Sequence, residues 1–97
     1  MELKEIEKYW LESAEDDYDT ALKLWQNEKY VQAMFFLHLT MEKMIKALYV
    51  NHQQTEAPFG HNLTNLAAKI DGLSVTDAQM ALLAQITTFN TATRYND

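Results

Sequence analysis

Three ionisable side chains in the middle of the sequence follow one another at steps of four residues. His38 and Glu42 at this spacing share one face of a helix and could offer two ligands to a metal ion. Glu42 and Lys46 stand in the order, acid before base, that favours an ion pair on a helix. Two ligands do not make a metal site, and no third lies nearby in the sequence, so we predict no metal.

These residues also have structural interpretations. His38 is then a partly buried histidine that is hydrogen-bonded within the fold or at an interface. For Glu42, Lys46 and the adjacent Lys43, two roles remain open. They either form structural ion pairs or line a functional groove, because charges on an otherwise apolar helix must reach solvent or a partner charge.

Two further basic side chains, His61 and Arg94, lie outside this segment. His61 follows Gly60, where a histidine either orders a turn or caps a helix, or else takes part in catalysis. Arg94 is the only arginine of the sequence and has Tyr95 beside it. A single guanidinium can bind a phosphate through two hydrogen bonds, or tie the end of the chain to a carboxylate such as Glu42.

Most known catalytic and cofactor patterns are absent from the sequence. There is no cysteine, which removes disulfides, thiolate metal sites and Cys-His nucleophiles. Two glycines cannot build a phosphate-binding glycine loop, and there is no HExxH or calcium-loop motif. Ser13 and Ser74 lack the glycines that frame a serine nucleophile. We therefore predict neither a catalytic residue nor a cofactor.

Long helices must position the polar residues, because the residues that interrupt helices are confined to one short region. The single proline and both glycines lie between residues 58 and 72. Before that region, apolar residues recur at helical spacing, which predicts a first helix over residues 3–26 and a second over residues 30–52. Asn27 is the predicted stop of the first helix, since asparagine tolerates the left-handed conformation in which many helices end.

Two shorter helices are predicted after the connection. Gly72 closes the third helix, whose apolar face comprises Leu63, Leu66, Ala67 and Ile70. Ser74 or Thr76 caps the fourth, and Arg94 is predicted to lie just past its end. At 97 residues the chain is one domain, so residues 1–97 are expected to form a single all-α unit.

The second helix is apolar over most of its circumference, from Val31 to Val50. A helix of this kind needs neighbours on several sides, and so short a chain supplies few of them. We therefore predict a homodimer in which Phe35, Phe36, Leu39 or their neighbours meet a second copy.

The net charge of −6 arises entirely from the beginning of the chain. Residues 1–19 hold eight acidic side chains against Lys4 and Lys8, whereas acids and bases balance in the remainder. This surface repels phosphate backbones, and it is either a solvated helix face or a docking surface for a basic partner. The N-terminus lacks the regions of a signal peptide, and charges interrupt the longest apolar stretch, near residues 33–50. We expect a cytoplasmic protein without a membrane span.

Five segments follow one another in an informative order. The first helix and the start of the second carry Trp10, Ala14, Asp16, Asp17, Ala21 and Tyr30. The most specific segment is Glu-Lys-x-x-Lys-Ala-Leu at residues 42–48, and a Gly-His-x-Leu turn follows at residues 60–63, with Leu66 one turn on. The chain ends on Arg94, Tyr95, Asn96 and Asp97. In this order the segments resemble the HEPN domain (higher eukaryotes and prokaryotes nucleotide-binding) over nearly the whole chain.

The resemblance implies an antiparallel, up-and-down bundle of four or five helices, usually assembled as a homodimer. Family members are often encoded beside a minimal nucleotidyltransferase. One branch consists of ribonuclease toxins, which cut RNA with an arginine followed a few residues later by a histidine. In this sequence the chain stops three residues after Arg94, Asn96 replaces the proline of the family's Arg-Tyr-Pro-Asp signature, and the final helix is missing. The catalytic role implied by that branch therefore does not carry over.

We accordingly expect a non-catalytic homodimer that acts with a nucleotide-handling partner, such as a minimal nucleotidyltransferase, and that binds a nucleotide or RNA. The candidate nucleotide-binding residues are Glu42, Lys43, Lys46, His61, Arg94 and Tyr95. Two alternatives remain. One is a HEPN ribonuclease, the toxin of a toxin–antitoxin pair, with catalytic residues completed beyond Asp97. The other is a purely structural interaction bundle whose polar cluster serves only as ion pairs.

Overall fold

Four helices form the part of the chain that the structure describes. The computed structural model describes residues 2–94, with the side chains of residues 2–90. The helices are α1 (Leu3–Gln26), α2 (Tyr30–Gln53), α3 (Leu63–Ala68) and α4 (Asp77–Arg94), and residues 2–94 contain no strand. The all-α prediction is confirmed, and so are the bounds of α1. None of the described helices combines the length and apolarity needed to cross a membrane.

A tight turn at residues 27–29 reverses the chain between α1 and α2. Asn27 ends α1 as predicted, but its φ of −94° is not left-handed. The left-handed residue is Glu28, with φ of 62°. The Nδ2 of Asn27 donates a hydrogen bond to the carbonyl oxygen of Lys23 over 2.8 Å. The predicted conformation of Asn27 is therefore wrong, because its side chain closes the helix by a local hydrogen bond instead.

The third helix is shorter than predicted. It ends at Ala68 with Lys69 as its C-cap, and Gly72, with φ of 79°, lies in the turn beyond it rather than closing it. Ile70 leaves the helix yet stays buried, because this turn carries it into the core. The spacing of Ile70 in the sequence correctly predicted that it is buried, but wrongly predicted that it lies within α3.

The fourth helix begins with a capping box. Thr76 Oγ1 accepts a hydrogen bond from the backbone N–H of Gln79 over 3.1 Å, and Gln79 Oε1 accepts one from the backbone N–H of Thr76 over 2.9 Å. Asp77 adds an acidic side chain to the first turn, where the helix dipole favours it. Of the two predicted caps, Ser74 and Thr76, the structure selects Thr76.

The second helix lies at the centre of the domain. α1 packs against one side of it, and α3 and α4 pack against the other side and against each other. Among the helices of residues 2–94, α2 is the only one that α1 contacts. The main core lies where α2, α3 and α4 meet and comprises Ile45, Leu63, Leu66, Ala67, Ile70, Leu83 and Ile86. The smaller α1–α2 seam buries alanines, which let two helices approach closely: Ala14, Ala21, Ala33 and Ala47.

One flank of the antiparallel α1–α2 pair is open. Shallow grooves of 300–390 Å³ run along it. We call this flank the apolar strip; it comprises Leu11, Tyr18, Leu22 and Trp25 of α1 and Met34, Leu37, Met41, Met44 and Leu48 of α2. Trp25 is 56% exposed and Met44 is 47% exposed. The residues named for the dimer seam, Phe35, Phe36 and Leu39, are partly buried in the isolated chain, as are Met34, Leu37 and Met41 of the strip.

Candidate functional site

A buried carboxylate is the centre of the candidate site. Glu42, on α2, is 5% exposed. Its Oε2 accepts a hydrogen bond from Lys46 Nζ over 3.0 Å, and its Oε1 accepts one from His61 Nδ1 over 2.8 Å. Removing a carboxylate from water is costly unless donors replace the solvent, and here both oxygens have a donor. The predicted Glu42–Lys46 pair is thus present, with His61 added to it.

His38 is one helical turn before Glu42 and is completely buried. Its Nε2 lies 2.8 Å from the backbone carbonyl oxygen of His61. A carbonyl only accepts, so Nε2 carries the hydrogen, and the buried Nδ1 has no hydrogen-bond partner within the described residues. Nε2 is 3.9 Å from Glu42 Oε1, too far for a hydrogen bond. The buried, hydrogen-bonded interpretation of His38 is confirmed, and the described residues form no group of three metal-ligating side chains.

The turn before α3 is bound to α2 through two groups of His61, its backbone carbonyl and its side chain. His38 binds the backbone of His61, and Glu42 binds its side chain. Gly60, just before it, has φ of 139°, a conformation that a residue with a Cβ rarely adopts. Asn62, just after it, caps α3 by accepting a hydrogen bond from Asn65 N. The Gly-His segment therefore makes a fixed turn. The cap of α3 is Asn62, whereas His61 is hydrogen-bonded to α2 through its backbone carbonyl and its ring.

The tautomer of His61 follows from its partner. An ionised carboxylate only accepts, so Nδ1 of His61 carries the hydrogen that Glu42 receives. The ring's other nitrogen, Nε2, is left on a side chain that is 60% exposed. A histidine with one nitrogen bound to a buried carboxylate and the other available can exchange a proton or bind an anion.

Lys46 is enclosed from the other side by α1. Its side chain is 7% exposed, and Nζ lies 5.2 Å from the centroid of the Trp10 ring, within the range of a cation–π contact. Beside this contact, Ile6, Tyr9, Trp10 and Glu56 line a shallow pocket of 240 Å³. The sequence analysis named Trp10 only among the residues of the family resemblance, and its contact with Lys46 was not predicted, because a helical pattern does not reveal which charge a ring covers.

Lys43 belongs to a different cluster. Its Nζ lies 2.6 Å from Asp17 Oδ2 and 2.7 Å from Ser13 Oγ, both on α1, and it therefore joins the α1–α2 seam. The structure brings Glu42, Lys46 and His61 together and separates Lys43 from them. The partners Asp17 and Ser13 were not predicted, because they lie 26 and 30 residues away in the sequence.

The two remaining candidates lie at the end of the described chain. Arg94 is the last residue of α4, so its predicted position just past that helix is wrong by one residue. Its side chain is outside the described part, and so is the whole of Tyr95. The phosphate and carboxylate hypotheses for Arg94 both stay predictions.

The helical fold agrees with a comparison against known protein families. Residues 7–97 match the family model described as HEPN domain. The chain belongs to the HEPN family, a family of nucleotide-binding and ribonuclease-like domains. Comparison with curated proteins and with solved structures gave no match.

Proposed function

We propose that this chain is a non-catalytic, cytoplasmic HEPN module that forms a homodimer, binds nucleotide, and serves a nucleotide-handling partner such as a minimal nucleotidyltransferase. One observation carries the proposal: the apolar strip is open, whereas the charges of the polar cluster are largely satisfied by one another. The chain thus offers a surface for assembly, while the Glu42–Lys46 pair is already matched.

The apolar strip has the spacing of a helix-packing surface. On α2 its members Met34, Leu37, Met41, Met44 and Leu48 are separated by alternating steps of three and four residues. This repeat is the one that packs two helices side by side at a shallow angle. Large apolar patches are uncommon on monomeric proteins and mark places where partners bind.

A second copy of this chain fits the strip in size. Each of the two helices has 24 residues, so the flank is about 36 Å long and about 20 Å wide. Its area of about 700 Å² is close to the roughly 800 Å² that each partner contributes to a standard interface. HEPN domains commonly dimerise, and two α1–α2 pairs joined by a two-fold axis would form a four-helix bundle.

Light scattering with paired charge substitutions tests the assembly. Wild-type protein at tens of micromolar is expected to be a dimer. Met44→Glu places a carboxylate in the strip and is expected to give a monomer. Leu82→Glu, at a similarly exposed apolar position on α4 outside the strip, is expected to remain dimeric. A monomeric wild type, or a dimer that survives Met44→Glu, would contradict the proposed interface.

Thermal denaturation in the presence of ATP tests nucleotide binding. A ligand that binds only the folded state stabilises it, by about 1.4 kcal/mol at ten times its Kd. We expect a rise in Tm at millimolar ATP. No rise would favour the purely structural bundle, in which the polar cluster provides ion pairs alone.

An RNA cleavage assay addresses the non-catalytic part of the proposal. The purified chain is expected to leave RNA intact. Cleavage that disappears in Arg94→Ala would instead support the ribonuclease toxin alternative.

A further inference from the structure

We infer that the turn Phe59–Gly60–His61 is the nucleotide-contacting element of this chain, with the Phe59 ring stacking on the base and His61 Nε2 binding the phosphate. The inference rests on the proposed nucleotide binding and assigns it to particular residues. It also removes Lys43 and Lys46 from the contact surface.

The turn is held in place before any ligand arrives. His61 is bound through its carbonyl oxygen by the fully buried His38 and through Nδ1 by the buried Glu42. Both residues belong to the long central helix α2, so the turn has a rigid support. A contact surface that is already ordered loses less entropy when it binds.

Phe59 is the most exposed large apolar residue in the described part of the chain. It is 100% exposed, whereas every residue of the apolar strip is at least partly covered. Exposed aromatic rings on ordered segments are the usual platforms on which nucleic-acid bases stack.

The other cations of the candidate set are already engaged. Lys46 is buried against Glu42 and Trp10, and Lys43 is bound to Asp17 and Ser13. Among the candidates whose side chains are described, His61 alone combines a basic nitrogen with high exposure. Protonated at Nε2, it would donate to a phosphate oxygen while Nδ1 still donates to Glu42.

Charge favours a mononucleotide over a nucleic-acid strand. The chain carries a net charge of −6, concentrated in residues 1–19, and Trp10 of that segment covers Lys46, which shares the Glu42 carboxylate with His61. Repulsion grows with the number of phosphates that the protein must approach. A single nucleotide bound at one turn avoids most of this cost.

Isothermal titration of the full chain with ATP tests the inference. Phe59→Ala is expected to weaken binding about tenfold, the loss of one stacking contact. His61→Gln is expected to weaken it about tenfold, since the hydrogen bond from Nε2 to the phosphate is lost. His52→Gln, at the exposed end of α2, is the matched control and should bind as the wild type does.

The outcomes separate this inference from the proposed function. If wild type binds ATP and both Phe59→Ala and His61→Gln bind it equally well, the site is elsewhere and only this inference falls. If wild type binds no ATP, nucleotide binding falls with it. A single-stranded RNA decamer that binds more tightly than ATP, and loses affinity in Phe59→Ala, would overturn the choice of a mononucleotide. Phe59 is fully exposed, so its substitution leaves the fold intact even where His61→Gln destabilises it.

Discussion

Glu42 shows how a charge is kept inside a small helical domain. Lys46 and His61 each donate to one of its oxygens, and Trp10 covers the ammonium group. The pair Glu42–Lys46 followed from a four-residue spacing. The bond to His61 did not, because it joins residues 19 apart in the sequence, and only the packing of the turn on α2 brings them together.

Substitution of Lys46 by Met tests how much the buried Glu42–Lys46 pair contributes to stability. Glu42 would keep His61 but lose its buried cation, so the free energy of unfolding should fall by about 3 kcal/mol. Urea denaturation measures the change. Lys23→Met is the control: Lys23 is exposed, and its pKa is raised by its hydrogen bond to Asp19 and then by the attraction between the two charges. A Lys46→Met change no larger than the control's would show that the buried pair contributes little.

The helices differ in how far the sequence predicted them. The bounds of α1 were predicted correctly and α2 to within one residue, because long amphipathic patterns end at strong interrupting signals. α3 has six residues and few internal hydrogen bonds, so packing of the turn after it, rather than propensity, decided where it ends. Periodicity also gave the faces of α2 without showing that Lys43 pairs with α1.

The capping box of α4 gives a prediction for a helix end. Thr76→Ala removes the hydroxyl that accepts from Gln79 N, and stability should fall by about 1 kcal/mol. Ser74→Ala, two residues earlier at an exposed position, should be close to neutral. Thermal denaturation of the two variants measures both losses of stability. Equal losses would mean that Ser74 contributes to capping α4 as much as Thr76 does.

The alanine seam gives a prediction for helix packing. Ala33 is 3% exposed between α2 and α1, so Ala33→Leu should destabilise the domain by about 1–3 kcal/mol through overpacking. Ala84→Leu, on the exposed face of α4, is the matched control and should change stability little. Circular dichroism during urea denaturation reports both. A tolerated Ala33→Leu would indicate that α1 shifts readily along α2.

At the scale of the whole molecule, the domain has one central helix with unequal neighbours. α3 and α4 share a core with α2, whereas α1 shares only the seam and leaves the apolar strip uncovered. The apolar circumference of α2 predicted a second copy. The residues expected to meet it were Phe35, Phe36, Leu39 or their neighbours, and this contact stays a prediction. The most exposed members of α2 on the strip are Met44 and Leu48, which periodicity did not single out because it does not show where α1 will lie.

Stability should depend on protein concentration if the strip joins two copies. Dimerisation stabilises the folded state by mass action, so the Tm of the wild type should rise as the concentration is increased tenfold. Met44→Glu should show no such rise, and Leu82→Glu should behave as the wild type. A wild-type Tm that is independent of concentration would argue for a monomer.

The attachment of α1 to a single neighbour also has a dynamic consequence. Detaching it breaks the seam with α2 but none of the contacts among α2, α3 and α4. Local opening of this helix should therefore need less free energy than global unfolding. In hydrogen–deuterium exchange, amides of residues 3–26 should become labelled before the protected amides in the second half of α2. A second copy of the chain bound at the apolar strip should slow the labelling of residues 3–26.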